Sequence, residues 1–332
     1  MIVPIFIPHQ GCPYRCVFCN QNEISGAEKK EDEARLNSAF NSYLKSRPLE
    51  ELPPIREAAF YGGTFTALPV QRQKFLLSSV QSWVEQGYIQ SLRLSTHPGT
   101  VSEQALELLG QYSVETIELG VQSTDPEVLS QSGRGDTPES LERSVHLIRS
   151  RGYQLGLQLM LGLPGDSEKI FQQSICDTLR FKPDFVRIYP ALVVRGTALH
   201  EMYNKGDYVP WSLNRTVNAL KTAVKRFEEA GIPIIRLGLH PEPSLLANIV
   251  DGPYHPALRS LVESRMCFDT LSDLLSRETV LPDRVTFKVP IRKVSNYTGH
   301  RKENISMLKK KFAIKELVFT QTSGLLTPEL IT

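Results

Sequence analysis

Short runs of β-branched and apolar residues alternate with longer stretches of helical periodicity along most of the chain. No other feature restricts the fold as much. Strands are expected at Ile2–Ile7, Glu57–Tyr61, Leu92–Thr96, Thr116–Val121, Gly156–Gly162, Phe185–Tyr189 and Pro233–Leu239. Helices are expected at Glu33–Leu44, Pro69–Glu85, Ser102–Leu109, Pro138–Arg151, Ser167–Arg180 and Leu213–Ala230. Strand, helix and strand in succession imply a parallel sheet, because a parallel neighbour is reached only through a crossover of about a dozen residues or more. Six or more such repeats could close into a barrel or partial barrel, or spread as a doubly wound sheet. Periodicity does not choose between them.

Most strand ends run into glycine or polar residues: Gly62-Gly63-Thr64, Ser95-Thr96-His97-Pro98, Gly120-Val121-Gln122-Ser123 and Gly162-Leu163-Pro164-Gly165. Any one of these is ordinary turn chemistry. Their recurrence after successive strands marks the carboxyl edge of the sheet as the face where chemistry is expected. No apolar run reaches the roughly 18 residues that a membrane span needs, and Met1–Pro8 is too short and lacks the basic flank of a signal peptide. A cytoplasmic protein is expected.

Lys and Arg number 38 and Asp and Glu 36, a net charge of +2 that hides a segregation. Between Asp283 and Lys315 there are ten basic and two acidic residues, net +8, which leaves −6 for the remainder. The style also changes there: strands are expected at Val285–Val289 and Leu317–Thr320, with a helix at Asn304–Lys311 between them. We therefore expect residues 1–279 to form the main domain and residues 280–332 a small basic α+β domain. Lys288, Arg292, Lys293, Arg301, Lys302, Lys309, Lys310 and Lys311 are its candidate RNA contacts, with Tyr297 as a stacking residue, because cations neutralise phosphates and aromatic rings stack on bases. A solvated helix face is the plainer alternative. The charged run Glu28–Glu33 is expected to be a loop.

Three of the five cysteines fall in Cys12-Pro-Tyr-Arg-Cys16-Val-Phe-Cys19. A structural zinc site commonly uses two Cys pairs, and no second pair is present; His9 does not stand at a common zinc spacing. Three thiolates on one short loop suit an iron–sulfur cube with one iron left open. Cys176 and Cys267 lie alone in helical patterns and are expected to pack as small apolar residues.

This spacing resembles the radical S-adenosylmethionine (SAM) superfamily, as does aromatic Phe18 before the third cysteine, which in the family packs near adenine. Tyr61-Gly62-Gly63-Thr64 resembles the family's glycine motif for the methionine amino group. Gly120-Val121-Gln122-Ser123, with Arg134 twelve residues beyond Gln122, resembles the coproporphyrinogen-dehydrogenase-like and Elongator-like branches, as do Gly162-Leu163-Pro164 and Gln158. Phe60–Thr66, Arg187–Thr197 and Gly206-Asp207-Tyr208 are most similar to the radical SAM domain of the Elongator catalytic subunit, over roughly residues 1–240. That subunit also has an acetyltransferase domain and a basic N-terminal extension, for which this chain is expected to be too short. Ser95 stands where the family carries a ribose-side Glu.

The resemblance implies a partial (β/α)6-type TIM barrel of the radical SAM type. It implies a 4Fe-4S cluster on Cys12, Cys16 and Cys19, and SAM held by Phe18, Tyr61, Gly62, Gly63, Thr64, Ser95, Gln122, Arg134 and Gln158. The implied chemistry is reductive cleavage of SAM to a 5′-deoxyadenosyl radical, with electrons from a donor such as flavodoxin or ferredoxin. Arg187, Tyr189, Arg195 and His240, at or past late strand ends, are candidate substrate contacts; no general base is assigned. A tRNA base is the expected substrate. A small metabolite or tetrapyrrole, or a non-catalytic RNA-binding iron–sulfur protein, are the alternatives.

Overall fold

The computed structural model describes residues 2–20 and 57–331, together with Leu36, Ser38, Phe40 and Ser42. The charged loop at Glu28–Glu33 and the helix at Glu33–Leu44, apart from those four residues, lie outside them.

Seven parallel strands form the main sheet: β1 (Ile2–Phe6), β2 (Glu57–Tyr61), β3 (Ser91–Thr96), β4 (Val114–Gln122), β5 (Gln154–Leu161), β6 (Phe185–Pro190) and β8 (Ile234–Leu237). Two short strands, β7 (Val193–Val194) and β9 (Ile249–Asp251), pair with each other outside it. The order in the main sheet is β1-β2-β3-β4-β5-β6-β8, with no reversal. That order decides what periodicity left open. A doubly wound sheet reverses direction and carries helices on both faces, whereas same-handed crossovers stepping one way put them all on one. The sheet curls around its other face into a half-barrel.

The helices bury apolar stripes. Leu76, Leu77, Val80 and Trp83 do so on α1 (Val70–Glu85). Helix α2 (Glu103–Leu109) uses Leu106 and Leu109, and the short α3 (Pro126–Gln131) uses Val128 and Leu129. Leu141, Val145 and Ile148 serve on α4 (Pro138–Ser150), and Phe171 and Ile175 on α5 (Glu168–Arg180). Their starts are set locally. Ser102, Asp125, Thr137 and Ser167 each accept a hydrogen bond from the backbone three residues on, as does Thr197 before α6 (Ala198–Lys205). Such caps satisfy amides that the helix leaves free.

The chain divides into two compact units, the first made of residues 1–211 and 227–254 and the second of 212–226 and 255–332. The second unit thus takes in more than the segment 280–332 set apart by its charge. The reason is apolar: Leu271 and Leu275 of the helix Leu258–Ser276 share a core with Val285, Phe287, Val289, Leu308 and Ile314. Its three-stranded sheet has β10 (Arg284–Pro290) in the centre, parallel to β11 (Glu316–Thr322) and antiparallel to β12 (Glu329–Ile331).

Asn304, near the start of the helix Glu303–Phe312, is 2% exposed. Its amide lies within hydrogen-bond distance of Ser264 O, Asn296 O and Tyr297 O, so one side chain ties three segments together. Asn304→Ala is expected to destabilise this unit by about 1–3 kcal/mol, the cost of leaving buried acceptors unmet. Urea unfolding followed by far-UV circular dichroism would measure it, and an unchanged midpoint would refute it.

Among the described residues, no helix is long and apolar enough to cross a membrane.

Candidate active site

The loop after β1 carries the three cysteines, and backbone hydrogen bonds fasten it to the turn after β2. Ile7 N donates to Tyr61 O, His9 N to Gly62 O and Thr64 N to Gln10 O, each at 2.8 Å. Gly62 has φ +86°, a left-handed conformation costly for a side chain. A Cβ on Gly63 would stand 2.5 Å from Gln10 O and 2.6 Å from Ile7 O. Glycine is therefore required by the close approach of two backbones. Further along the loop, Val17 N donates to Ser132 O and Val17 O accepts from Leu199 N. Phe18 packs beside Val128, Leu163 and Ala191.

A cavity of about 880 Å³ opens on the concave side of the sheet. Cys12, Cys16 and Cys19 line it, as do Phe18, Tyr61, Gly62, Gly63, Thr64, Ser95, Gln122, Arg134 and Gln158. Every cofactor-binding residue expected from the sequence thus faces one chamber. Arg187, Tyr189 and His240 also line it. Arg195 does not: it is exposed and follows the β7–β9 pair, with its backbone amide bonded to Asn248 O. Leu192 and Val194 still line the chamber, so Arg195 stands just past its wall and is not among the residues that face it.

Strand β4 ends in an irregularity. Gly120 pairs with Gln158 and Gln122 with Leu159, so Val121 is skipped. Gln122 then takes φ +67°, unusual for a non-glycine residue. Its amide meets Gln158 at 3.5 Å inside the chamber. Such strain gathers at functional sites because the surrounding structure enforces it.

Arg134 is 8% exposed. It donates to Gly120 O at 2.6 Å and pairs with Asp136 at 2.7 Å. Another of its donors reaches Cys16 Sγ at 3.5 Å, while Thr64 Oγ1 lies 3.5 Å from Cys12 Sγ. Burial pushes the Cys16 thiol up, with Arg134 pulling the other way. His97 Nε2 lies 2.9 Å from the second Asp136 oxygen, and its Nδ1 accepts from Gly99 N. The imidazole thus lies against the carboxylate that holds Arg134. His97 and Asp136 carry no motif of their own and were not anticipated.

The barrel interior holds a second polar group, of which Tyr61 and Arg187 were expected from the sequence and Glu57, Arg93 and Glu118 were not. Glu118, with a side chain 2% exposed, bonds Arg93 at 3.0 Å, Arg187 at 2.7 Å and the Tyr61 hydroxyl at 3.0 Å. Arg93 in turn pairs with Glu57 at 2.7 Å, and Arg187 donates to the Tyr61 oxygen at 2.6 Å. Burial, with the charge on Glu118, pushes the Tyr61 phenol well above its usual range. Burial alone would lower Arg187, but Glu118, Tyr61 and Tyr189 together outweigh it and hold the guanidinium above its ordinary value. Two carboxylates and two guanidiniums therefore cancel, with Glu118 and Arg187 in the chamber wall.

The chemistry of these donors fits an iron–sulfur cluster with SAM. Three thiols open on one roomy chamber, hydrogen-bond donors reach two of the sulfurs, and glycine lets the cysteine loop lie close against the β2 turn.

Lys288 and Lys309 of the second unit are half-buried, while Arg292, Lys293, Arg301, Lys302, Lys310 and Lys311 are exposed. Lys311 bonds Ser272 Oγ and lies over the Phe268 and Phe312 rings. Tyr297, expected to stack on bases, is 5% exposed and belongs to the core, so that role is withdrawn. Cys176 and Cys267 are half-buried, Cys267 against the second unit's core.

The family model for the radical SAM superfamily matches residues 6–175, and that for the Radical_SAM C-terminal domain matches residues 183–267. A tRNA uridine(34) acetyltransferase of Methanocaldococcus jannaschii is 25% identical over 260 residues, 67% of this chain and 48% of that protein. Elongator complex protein 3 of Danio rerio is 25% identical over 78% of this chain and 54% of its own length. The chain spans about half the length of these curated relatives. Among solved structures, an archaeal Elp3 from Methanocaldococcus infernus superposes with a TM-score of 0.62 at 21% identity, over 80% of this chain and 62% of that one. Coproporphyrinogen III oxidase (HemN) from Escherichia coli gives 0.51 at 17% identity, over 69% and 53%. Both share the fold.

Proposed function

The chain belongs to the radical SAM superfamily, and from that premise we propose that it is a radical SAM enzyme acting on a base of tRNA. The observation that carries the catalytic half is the convergence of the cysteine loop, the Gly62–Thr64 turn, Gln122, Arg134 and Gln158 on one chamber. Cys12, Cys16 and Cys19 would hold three irons of a 4Fe-4S cluster. When bound, the cluster and SAM together supply a one-electron cleavage that yields a 5′-deoxyadenosyl radical. The chain's own residues bind and shield. Arg134 would take the SAM carboxylate, for which a guanidinium fork is well shaped. The Gly62–Thr64 backbone would take the amino group, and Ser95, Gln122 and Gln158 would take polar edges of the nucleoside. Phe18 and Tyr61 would wall the chamber against water, which matters for a reactive species. A small electron carrier such as flavodoxin or ferredoxin would supply the electron.

Two observations support RNA as substrate. Relatives that match two-thirds or more of the chain are named for tRNA modification or for Elongator. The second unit presents Arg292, Lys293, Arg301 and Lys302 exposed, with no ion pair among the described residues. The acetyl-transfer activity in the relatives' name is not part of this reading.

Replacing these four cations by Ala is expected to flatten the salt dependence of tRNA binding. The slope of log K against log[salt] should fall by about 3, at about 0.7–0.9 for each phosphate no longer neutralised. Filter binding between about 50 and 200 mM salt would measure it. An unchanged slope, with no difference in tRNA nucleosides between cells with and without the gene, would sink the RNA reading. It would leave SAM cleavage untouched.

A further inference from the structure

Five wall residues of the chamber carry a full charge when ionised in the ordinary way: Glu118, Arg134, Arg187, Arg236 and Glu242. Glu118 is met by Arg93 and Arg187, and Arg134 by Asp136. Glu242 stands 3.6 Å from His240 at an exposed stretch. Arg236 differs. Its Nε donates to Gly238 O at 3.1 Å, and no carboxylate among the described residues lies within ion-pair distance of it. Both terminal nitrogens of this half-buried guanidinium are left without an acceptor among the described residues.

Its position is built. Between β6 and β8 the register skips a residue: Val186 pairs with Ile234 and Arg187 with Arg236. The skipped Ile235 is 43% exposed. Arg236 therefore sits beside Arg187 on the chamber side, like charge next to like charge, where Glu118 already engages Arg187. The terminal nitrogens of Arg236 are thus an open fork for an anion. β8 is the edge strand at the opposite end of the sheet from β1, which leads into the cysteine loop. Ligand pockets usually measure about 300–1,000 Å³. The chamber is thus large enough for a second ligand portion near β8.

We propose that Arg236 anchors the substrate by an oxyanion, its free guanidinium edge taking a carboxylate or phosphate in a two-point contact. The proposal rests on the chamber being the radical SAM site, and not on the substrate being RNA. The oxyanion could come from a nucleotide phosphate or from the acid group of a small molecule, and the test separates these sources.

The test uses the anaerobically reconstituted full chain saturated with SAM. Isothermal titration calorimetry compares uridine 5′-monophosphate with uridine, and malonate with malonamide. Wild type should bind the charged member of at least one pair about tenfold more tightly than its neutral partner. The pair that shows the preference identifies the source. Arg236→Gln should abolish it, and Arg236→Lys, which keeps charge but loses the fork, should retain part of it and serves if the Gln variant does not fold. No preference in wild type, or full preference in the Gln variant, overturns the anchor. So does a lost SAM affinity in Arg236→Gln, which would place the residue on the cofactor. Failure of the enzymatic reading looks different: well-loaded wild type would produce no 5′-deoxyadenosine with dithionite, whatever the anions do.

Discussion

Glu118→Ala is expected to destabilise the first unit by about 3–5 kcal/mol, the usual cost of leaving a buried charge without its partner. The side chain answers Arg93, Arg187 and Tyr61 at once, from a place where only 2% of it meets solvent. Glu57 remains for Arg93, but no other carboxylate among the described residues pairs with Arg187. Thermal melting should fall by about 10 °C. Glu118→Gln keeps hydrogen-bonding atoms without the charge and should fall between. The double variant Glu118→Leu with Arg187→Met removes both charges and should cost less than Glu118→Ala alone, since a buried pair can be exchanged for apolar packing at little loss. A melting point for Glu118→Ala within about 2 °C of wild type would show that the charges are screened by water and would refute the account.

Gly63→Ala is expected to prevent stable loading of the cluster. The added methyl would lie 2.5 and 2.6 Å from two backbone oxygens, and neither belongs to a side chain able to swing away. The cysteine loop or the β2 turn must shift, and the bonds from His9 N to Gly62 O and from Thr64 N to Gln10 O are what hold them together. Iron per chain after anaerobic reconstitution should drop to roughly a tenth of the wild-type value, by analogy with the about 10–100-fold losses seen when supporting groups of metal sites are removed. Overpacking itself costs about 1–3 kcal/mol, so far-UV circular dichroism should still report a folded chain. Full loading with the usual absorbance would refute the close-approach reading.

The parallel sheet was legible because β-branched runs alternate with helical periodicity, and the cysteine loop because three thiols in eight residues have few structural uses. Glu57, Arg93 and Glu118 of the charged group inside the barrel belong to no motif, although the strands carry a trace of them. Arg93 and Ser95 of β3 and Arg187 and Tyr189 of β6 stand two apart, and Glu118 and Gln158 interrupt the apolar middles of β4 and β5. In a strand covered on both faces such positions would be apolar. Their polarity says that one face lines a chamber. Tyr297 failed for the opposite reason. Basic neighbours suggested surface, yet the short helix Val294–Thr298 turns the ring into the core. Charge density along a chain does not report the direction of one side chain. Nothing local in the sequence shows that β7 leaves the main sheet to pair with β9, which sets Arg195 apart from the residues that line the chamber.

The loop that holds the thiols is completed by residues made much later. Its backbone is tied to the turn at Gly62–Thr64, to Ser132 and to Leu199. A growing chain therefore carries all three cysteines long before it owns the residues that fix their loop. At about 5–20 residues per second of synthesis, roughly ten seconds or more separate the two events. During that interval the thiols are exposed to oxidation and to stray metal. If the thiols hold the proposed cluster, its maturation is thus a matter of timing as well as affinity: only a chain synthesised past α6 has the contacts of Ser132 and Leu199 that fix the cysteine loop.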